Sequence, residues 1–395
     1  MIFNNLFDLY LLNSKTKLKT QKLRIMAKEK NDLKEIKSAI TDEKSGWQAA
    51  NTEIFELSDE EKRLLLGYVP GEGESSLEEQ EAESKANLST YLAFMKSNED
   101  AYGAPSSFDL RNVGGKNYIT SVKNQASCGS CVAFGTIAAV EGTVRWLKKD
   151  PTYQVDFSEA HLFYCHARNE GRNCQNGWWV PPAMQAFKNT GITDEAHYPY
   201  TAGDQNCTGL QSGWQSAVKK ITDFKRITSI AEMKEWISTK GPVASCFSVY
   251  NDFYAYRSGV YKKTAGANLV GGHCVSTIGY NDSGRYWICK NSWGTGFGEQ
   301  GFFKIGYGEC GIDNEVWGVM GLEDTEWITA KISGLWANQS ARNAFVYLAG
   351  HGWKKISNVN DTTFNIILTQ LAAAKAANKN VRVYVNKGMI SEVYV

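Results

Sequence analysis

The stretch Gln125-Ala126-Ser127-Cys128-Gly129-Ser130-Cys131 runs directly into Val132-Ala133-Phe134-Gly135-Thr136-Ile137. From Cys131 to Lys148 apolar residues recur at intervals of three and four, with Phe134, Ile137, Ala138 and Glu141 on related faces, so the spacing predicts a helix that starts at Cys131. A thiol placed there meets the positive end of the helix dipole, which favours its anionic form and makes it a candidate nucleophile. Two other chemistries use a Cys-x-x-Cys pair, a redox dithiol and half of a metal site, and this stretch alone leaves all three open.

Two later residues narrow the choice. His273 follows Gly271-Gly272 at the head of a strand candidate, and Asn291 opens Asn291-Ser292-Trp293-Gly294-Thr295-Gly296. A thiolate needs an imidazolium beside it, and the imidazole needs a partner on its far nitrogen to fix the tautomer; the Asn291 carbonyl can be that partner.

These segments resemble the papain and cathepsin family. Ser107-Phe108-Asp109-Leu110-Arg111 is similar to that family's mature N-terminus, Phe157-Ser158-Glu159-Ala160 with Cys165 to its second helix, and Asn291 to Gly296 with Gly298 to its asparagine loop. The likeness runs from about Pro105 to Gly321 and implies an α+β, two-lobed papain-like fold, with a helical left lobe and a β-barrel-like right lobe. It implies a catalytic set of Cys131, His273, Asn291 and Gln125, the last giving a side-chain N–H to the oxyanion hole beside the backbone N–H of Cys131. Gly129, Gly177 and Trp293 are expected at the substrate cleft, with Trp293 covering the His273–Asn291 contact. A loop cap for Gln125 and core filling for Trp293 are the structural alternatives. The resemblance also implies the disulfides Cys128–Cys174 and Cys165–Cys207. Three departures stand out: Val132 and Phe297 replace aromatics common in the family, and Cys174-Gln175-Asn176-Gly177 replaces its usual Cys-x-Gly-Gly.

The segment from Gly241 to Tyr280 is closest to cathepsin B, and Glu315 matches the acid that cathepsin B places at the base of the pocket for the second residue before the cut. A carboxylate there would admit Arg or Lys as well as apolar side chains, although a surface glutamate is the plain alternative. The interval between Cys174 and Cys207 is too short for cathepsin B's occluding loop, so endopeptidase action is expected. His161, Cys165, His166 and Cys174 form a loose alternative zinc set. Cys246, Cys274, Cys289 and Cys310 read as buried small hydrophobes, with Cys274 notable for its place beside His273.

Working outward, 395 residues exceed one ordinary core. Residues 1–25 form an extension of uncertain role, 26–104 an acidic pro-segment, 105–322 the peptidase domain and 324–395 a small C-terminal α/β accessory domain. In the first block, the apolar residues of 1–12 precede the basic ones, the reverse of a secretory signal, and Met26 is an alternative start. The second block carries nine basic and eighteen acidic residues against twenty-nine and twenty-three after it. It reads as amphipathic helical pieces broken by Gly67, Pro70, Gly71 and Gly73 and followed by the acidic run Glu78, Glu79, Glu81 and Glu83; a solvated, partly disordered segment is the alternative. In the family's inhibitory position it implies latency, with acid weakening its hold on the basic remainder.

Strand candidates fall at 242–249, 273–280, 285–290 and 301–307. In the tail they fall at 328–336 and 344–348, before a helix with Phe364, Ile367, Leu368 and Leu371 on one face, and a closing pair follows at 381–385 and 389–395. A binding or stabilising module is expected there.

Charged residues at 22% and hydrophobic residues at 43%, with no long apolar run, leave no membrane span, and no basic stripe interleaved with aromatics points to nucleic acid. The expected partners are polypeptide substrates and the chain's own pro-segment, in a monomer without metal or cofactor. The implied disulfides favour a secreted or lysosome- or vacuole-like compartment. The rival readings are a peptide ligase or transpeptidase using the same residues, an inactive peptide-binding homologue, and a thiol oxidoreductase using Cys128 and Cys131.

Overall fold

The computed structural model describes residues 32–97, 103–323, 325–358, 360–386 and 388–395. The 1–25 extension and the first residues of the acidic segment lie outside the described residues. The chain divides into two compact units, one ending at Gly321 and one running from Leu322 to Val395.

The first unit opens with helix α1 (32–42), strand β1 (Gln48–Ala49), the short α2 (Asp59–Arg63) and the long α3 (Leu77–Ser97). Helix α2 starts at a capping box in which Ser58 and Glu61 exchange hydrogen bonds. The break between α2 and α3 contains Gly67, Pro70, Gly71 and Gly73. The acidic run starts α3, where the helix dipole favours carboxylates. This run is folded: Gln80, Glu81 and Ser84 are buried, Ser84 bonds Asp313, and Glu81 pairs with Lys263 at 2.7 Å.

Next come β2 (Ser107–Asp109), α4 (Cys131–Lys148), α5 (Val180–Asn189), α6 (Trp214–Ala217), β3 (Phe224–Ile227), α7 (Ile230–Thr239), β4 (Val243–Tyr250), β5 (Tyr256–Ser258), β6 (Val260–Tyr261), β7 (Leu269–Asn281), β8 (Tyr286–Lys290), β9 (Phe302–Gly306) and β10 (Glu315–Val319). The strands form one sheet in the order β3-β10-β4-β7-β8-β9-β6, with β2 added to β7 and β5 pairing instead with β1. Every residue of β4 is buried, as expected of a central strand covered on both faces. Helix α4 lies against β4 and β7. It comes close because Gly142 faces Pro242 and Gly135 faces Cys274; a Cβ on Gly135 would stand 2.8 Å from the Cys274 sulfur.

The helical side is held by Cys128–Cys174 and Cys165–Cys207. These bonds remove two alternatives: Cys165 and Cys174 are no longer zinc ligands, and Cys128 has no thiol to offer Cys131. Loops of 46 and 42 residues give about 4 kcal/mol of stabilisation each in the chain-entropy account.

The second unit is a closed five-stranded barrel in the order β11-β12-β13-β15-β14, made from β11 (Thr325–Ala337), β12 (Ala344–Leu348), β13 (Gly352–Ile356), β14 (Asn380–Asn386) and β15 (Met389–Tyr394), with α8 (Asp361–Ala376) between β13 and β14. Asn360 caps α8, whose Phe364, Ile367 and Leu371 join the barrel core while Leu368 packs at its margin. The sequence pattern omits β13. Its residues Gly-Trp-Lys-Lys-Ile contribute only Ile356 to the core, and one inward apolar residue makes no alternation to read.

Candidate active site

Three structural devices bring the candidate residues together. The loop ending at Ser130 delivers Cys131 to the first turn of α4, β7 carries His273, and Asn291 follows directly on β8, two strands from β4 across β7. His273 Nε2 lies 2.7 Å from Asn291 Oδ1, which assigns the proton to Nε2 because a carbonyl oxygen only accepts. His273 Nδ1 is buried and, among the described residues, without a hydrogen-bond partner. The Cys131 sulfur is directed at the next residue of the same strand, and the backbone N–H groups of Cys274, Gly67 and Val132 point toward it.

Trp293 lies against the imidazole, with ring centroids 4.7 Å apart and the planes tilted by 36°. Phe297, the departure in the asparagine loop, meets Trp293 edge-on at 4.9 Å, so its ring supplies the packing at that place. Gln125 is fully buried. Its Oε1 accepts from Ser292 Oγ at 2.6 Å, which fixes the amide with Nε2 outward toward the cleft. Tyr200 braces the same loop by donating to the Gln125 carbonyl at 2.9 Å and meeting Ser130 Oγ at 2.8 Å.

Spacing and motif did not reveal what fills the cleft. Residues 65–69 thread through it. Trp178 N–H donates to the Gly67 carbonyl at 2.7 Å, Val69 N–H to Trp178 at 3.0 Å and Tyr68 N–H to Gly272 at 3.0 Å. The segment therefore runs parallel to Trp178 and antiparallel to Gly272. Gly129 and Gly177 touch it closely: a Cβ on Gly177 would stand 2.1 Å from the Gly67 carbonyl oxygen, and one on Gly67 would stand 1.9 Å from that of Gly129. The available signal was a glycine inside the apolar run Leu64-Leu65-Leu66-Gly67-Tyr68-Val69, a pattern that suits a close backbone approach.

Occlusion sets the charge state. Cys131 and His273 are both 0% exposed. Burial raises the Cys131 thiol well above its ordinary range, against the three N–H groups that favour the thiolate. Burial also lowers His273 to about 4, opposed by its Asn291 contact. With the cleft filled, the pair is a neutral thiol and a neutral imidazole.

Glu315 is 1% exposed, which removes the surface alternative. It accepts a hydrogen bond from Trp317 Nε1, and Arg226 lies 2.8 Å from its Oε2 as an ion pair without hydrogen-bond alignment. Burial chiefly, with Glu74 and Glu83 of the N-terminal segment adding, raises its carboxyl to about 7. The Tyr68 phenol is near enough to Glu315 and Cys246 for their charge to bear on it, and it accepts from Gln80 Nε2 at 2.8 Å. Among the described residues no His/Cys/Asp/Glu group is arranged to hold a metal, and no helix is long and apolar enough to cross a membrane.

Residues 104–320 match the family model described as papain family cysteine protease. A cathepsin L-like proteinase of Fasciola hepatica is 35% identical over 215 residues, covering 53% of this chain and 63% of the relative, so the chain spans less than two thirds of that protein. The cathepsin B-like CP3 of Giardia intestinalis is 33% identical over 230 residues, covering 54% and 74%. Among solved structures, digestive procathepsin L2 from the larval midgut of Tenebrio molitor superposes with a TM-score of 0.59 at 25% identity, over 77% of this chain and 93% of that one. Procathepsin B S9 of Trypanosoma congolense shares the fold at a TM-score of 0.58 and 20% identity, over 73% and 97%.

Proposed function

The chain belongs to the papain family of cysteine proteases, and from that premise we propose that it is a cysteine endopeptidase made in latent form, with Cys131 as nucleophile. The observation that carries this reading is the His273–Asn291 contact, which leaves Nδ1 as the only imidazole nitrogen open to a proton, on the strand whose next residue contacts the Cys131 sulfur.

In this reading, once residues 65–69 leave, water enters and the burial effects that keep both groups neutral fall away. The helix dipole and the N–H groups of Cys274 and Val132 then favour the thiolate, and His273 takes the proton on Nδ1. The sulfur attacks the peptide carbonyl while Gln125 Nε2–H and the backbone N–H of Cys131 hold the developing oxyanion. The imidazolium gives its proton to the leaving amine. The acyl-enzyme is then hydrolysed by a water that His273 deprotonates.

Latency rests on residues 65–69 filling the cleft, and the Glu81–Lys263 ion pair supports the view that opposite charge helps to hold the segment. The nearness of Tyr68 to Glu315 supports a pocket for the second residue before the cut. Its carboxyl already has Arg226 beside it, so tolerance for a basic substrate residue depends on that arginine moving away. The C-terminal barrel is proposed as an accessory domain outside the catalytic chemistry.

The test is covalent labelling with an epoxide inhibitor. Mature enzyme is expected to take up one equivalent at Cys131, and the precursor far less. Absence of labelling in mature enzyme that is correctly folded would favour an inactive peptide-binding homologue.

A further inference from the structure

Glu315, Cys246 and Cys274 stand in one row across three neighbouring strands. Glu315 is opposite Cys246 in the β10–β4 pairing, and Cys246 is opposite Cys274 in the β4–β7 pairing. Directly opposed residues on antiparallel strands project from the same face with Cα atoms about 4.5–5.5 Å apart, within the span of about 4.4–6.8 Å that a disulfide bridges. Both thiols are free and fully buried, and they face each other directly across the β4–β7 pairing.

The pair is distinguished from the other free cysteines by its surroundings. Cys289 meets the Thr277 hydroxyl and Cys310 the Glu309 carboxylate, whereas Cys246 and Cys274 are paired across two strands, near enough to Cys131 for its charge to bear on them. Over the row lies Tyr68, whose phenol senses Cys246 and Glu315 and whose ring would stand 2.7 Å from a Cβ on Gly272. The same tyrosine that fills the cleft therefore covers the two thiols.

We propose that Cys246 and Cys274 form a second thiol site, a dithiol that a peroxide oxidises to a disulfide once residues 65–69 have left, and that Tyr68 shields it in the precursor. One thiol loses its proton to water and attacks the peroxide O–O bond. An S–OH forms and the other oxygen leaves as hydroxide, which takes up that proton to become water. The neighbouring thiol then attacks the S–OH sulfur, its own proton leaving with the displaced hydroxyl as a second water. Two electrons pass from the two sulfurs to the peroxide. In the precursor the reaction is blocked because the thiols have no access to water or oxidant, and burial holds the Cys246 thiol well above its ordinary range.

Closure draws the two Cβ atoms to about 3.8 Å. Because Cys274 is bonded to His273, the strand movement reaches the imidazole, and because the row ends at Glu315 it also reshapes the pocket under Tyr68. The pocket's use rests on the peptidase reading, but the bond itself is read by mass and does not.

The experiment uses the full chain carrying Cys131→Ala, so that the catalytic sulfur cannot react, both intact and after limited proteolysis has removed the residues before Pro105. Each form is treated with hydrogen peroxide, remaining thiols are alkylated, and peptides are mapped by mass spectrometry. The expected result is a Cys246–Cys274 linked peptide in the cleaved form, reversed by dithiothreitol, forming at least ten times more slowly in the intact form. The linkage should vanish when Cys246→Ser is added, with circular dichroism confirming that this variant folds. No linked peptide in the cleaved form, or equal rates in both forms, would overturn the proposal. So would a Cys131–Cys274 bond appearing in its place when the wild-type chain is treated.

Discussion

Gln125 Nε2 donates to the carbonyl oxygen of Leu65 at 3.1 Å. The side chain assigned to the oxyanion hole is thus engaged by the chain's own N-terminal segment, through the same type of group, a peptide carbonyl, that a substrate would present. The second bond of that amide, to the Cys128 carbonyl at 2.8 Å, holds it in place when the segment leaves.

The first prediction concerns this donor. In mature enzyme Gln125→Ala is expected to lower kcat by about 100- to 1000-fold with little change in KM, the signature of an interaction made in the transition state. Cys131→Ala is expected to abolish turnover. Steady-state kinetics on a peptide substrate decides it, and a purely raised KM would point to ground-state binding instead.

Gly67→Ala addresses latency. The new methyl would meet the Gly129 backbone at 1.9 Å, and backbone on both sides leaves no flexible side chain to give way. The segment is expected to dissociate from the cleft, raising the activity of uncleaved precursor by at least tenfold and lowering its melting temperature. Mature enzyme no longer contains the residue, so its kcat should be the same from either precursor.

The pH dependence of activation follows from Glu315. On opening, His273 takes the proton that Cys131 gives up, so that pair exchanges none with solvent in the acid range. Glu315 sits at about 7 in the closed form against an ordinary 4.5; the closed form holds the proton that the open form releases, and acid favours closure in that window. Glu315→Gln removes this effect, so the ratio of self-processing rates at pH 5 and pH 7 is expected to rise by up to about 40-fold. An unchanged ratio would remove Glu315 from the mechanism.

The fourth prediction is internal cleavage. Incubation of mature enzyme with a long unstructured polypeptide should give fragments from internal sites from the earliest times, and a ladder of dipeptides from one end would defeat the endopeptidase assignment. On small substrates, Arg226→Ala is expected to increase the preference for Arg over Phe at the second position before the cut, because Glu315 then loses its resident cation.

Part of this molecule was legible one residue at a time. The helix beginning at Cys131 and the loop opening at Asn291 have the expected places, because periodicity and turn residues are local signals, while the strand bearing His273 begins four residues earlier than expected, at Leu269, since Gly271-Gly272 read as a turn and is paired in the sheet instead. The paired sulfurs followed from family resemblance and agree with the observed bonds. Strand β13 escaped because a single inward isoleucine makes no pattern.

By itself the sequence determined most of the elements and the candidate reacting groups, which depend on neighbours close along the chain. Only the tertiary structure decided that residues 65–69 fill the cleft, that Arg226 stands against Glu315, and that Cys246 faces Cys274. Those relationships join residues far apart in sequence. They depend on strand register and on close backbone approach, and neither leaves a periodic trace in the order of amino acids.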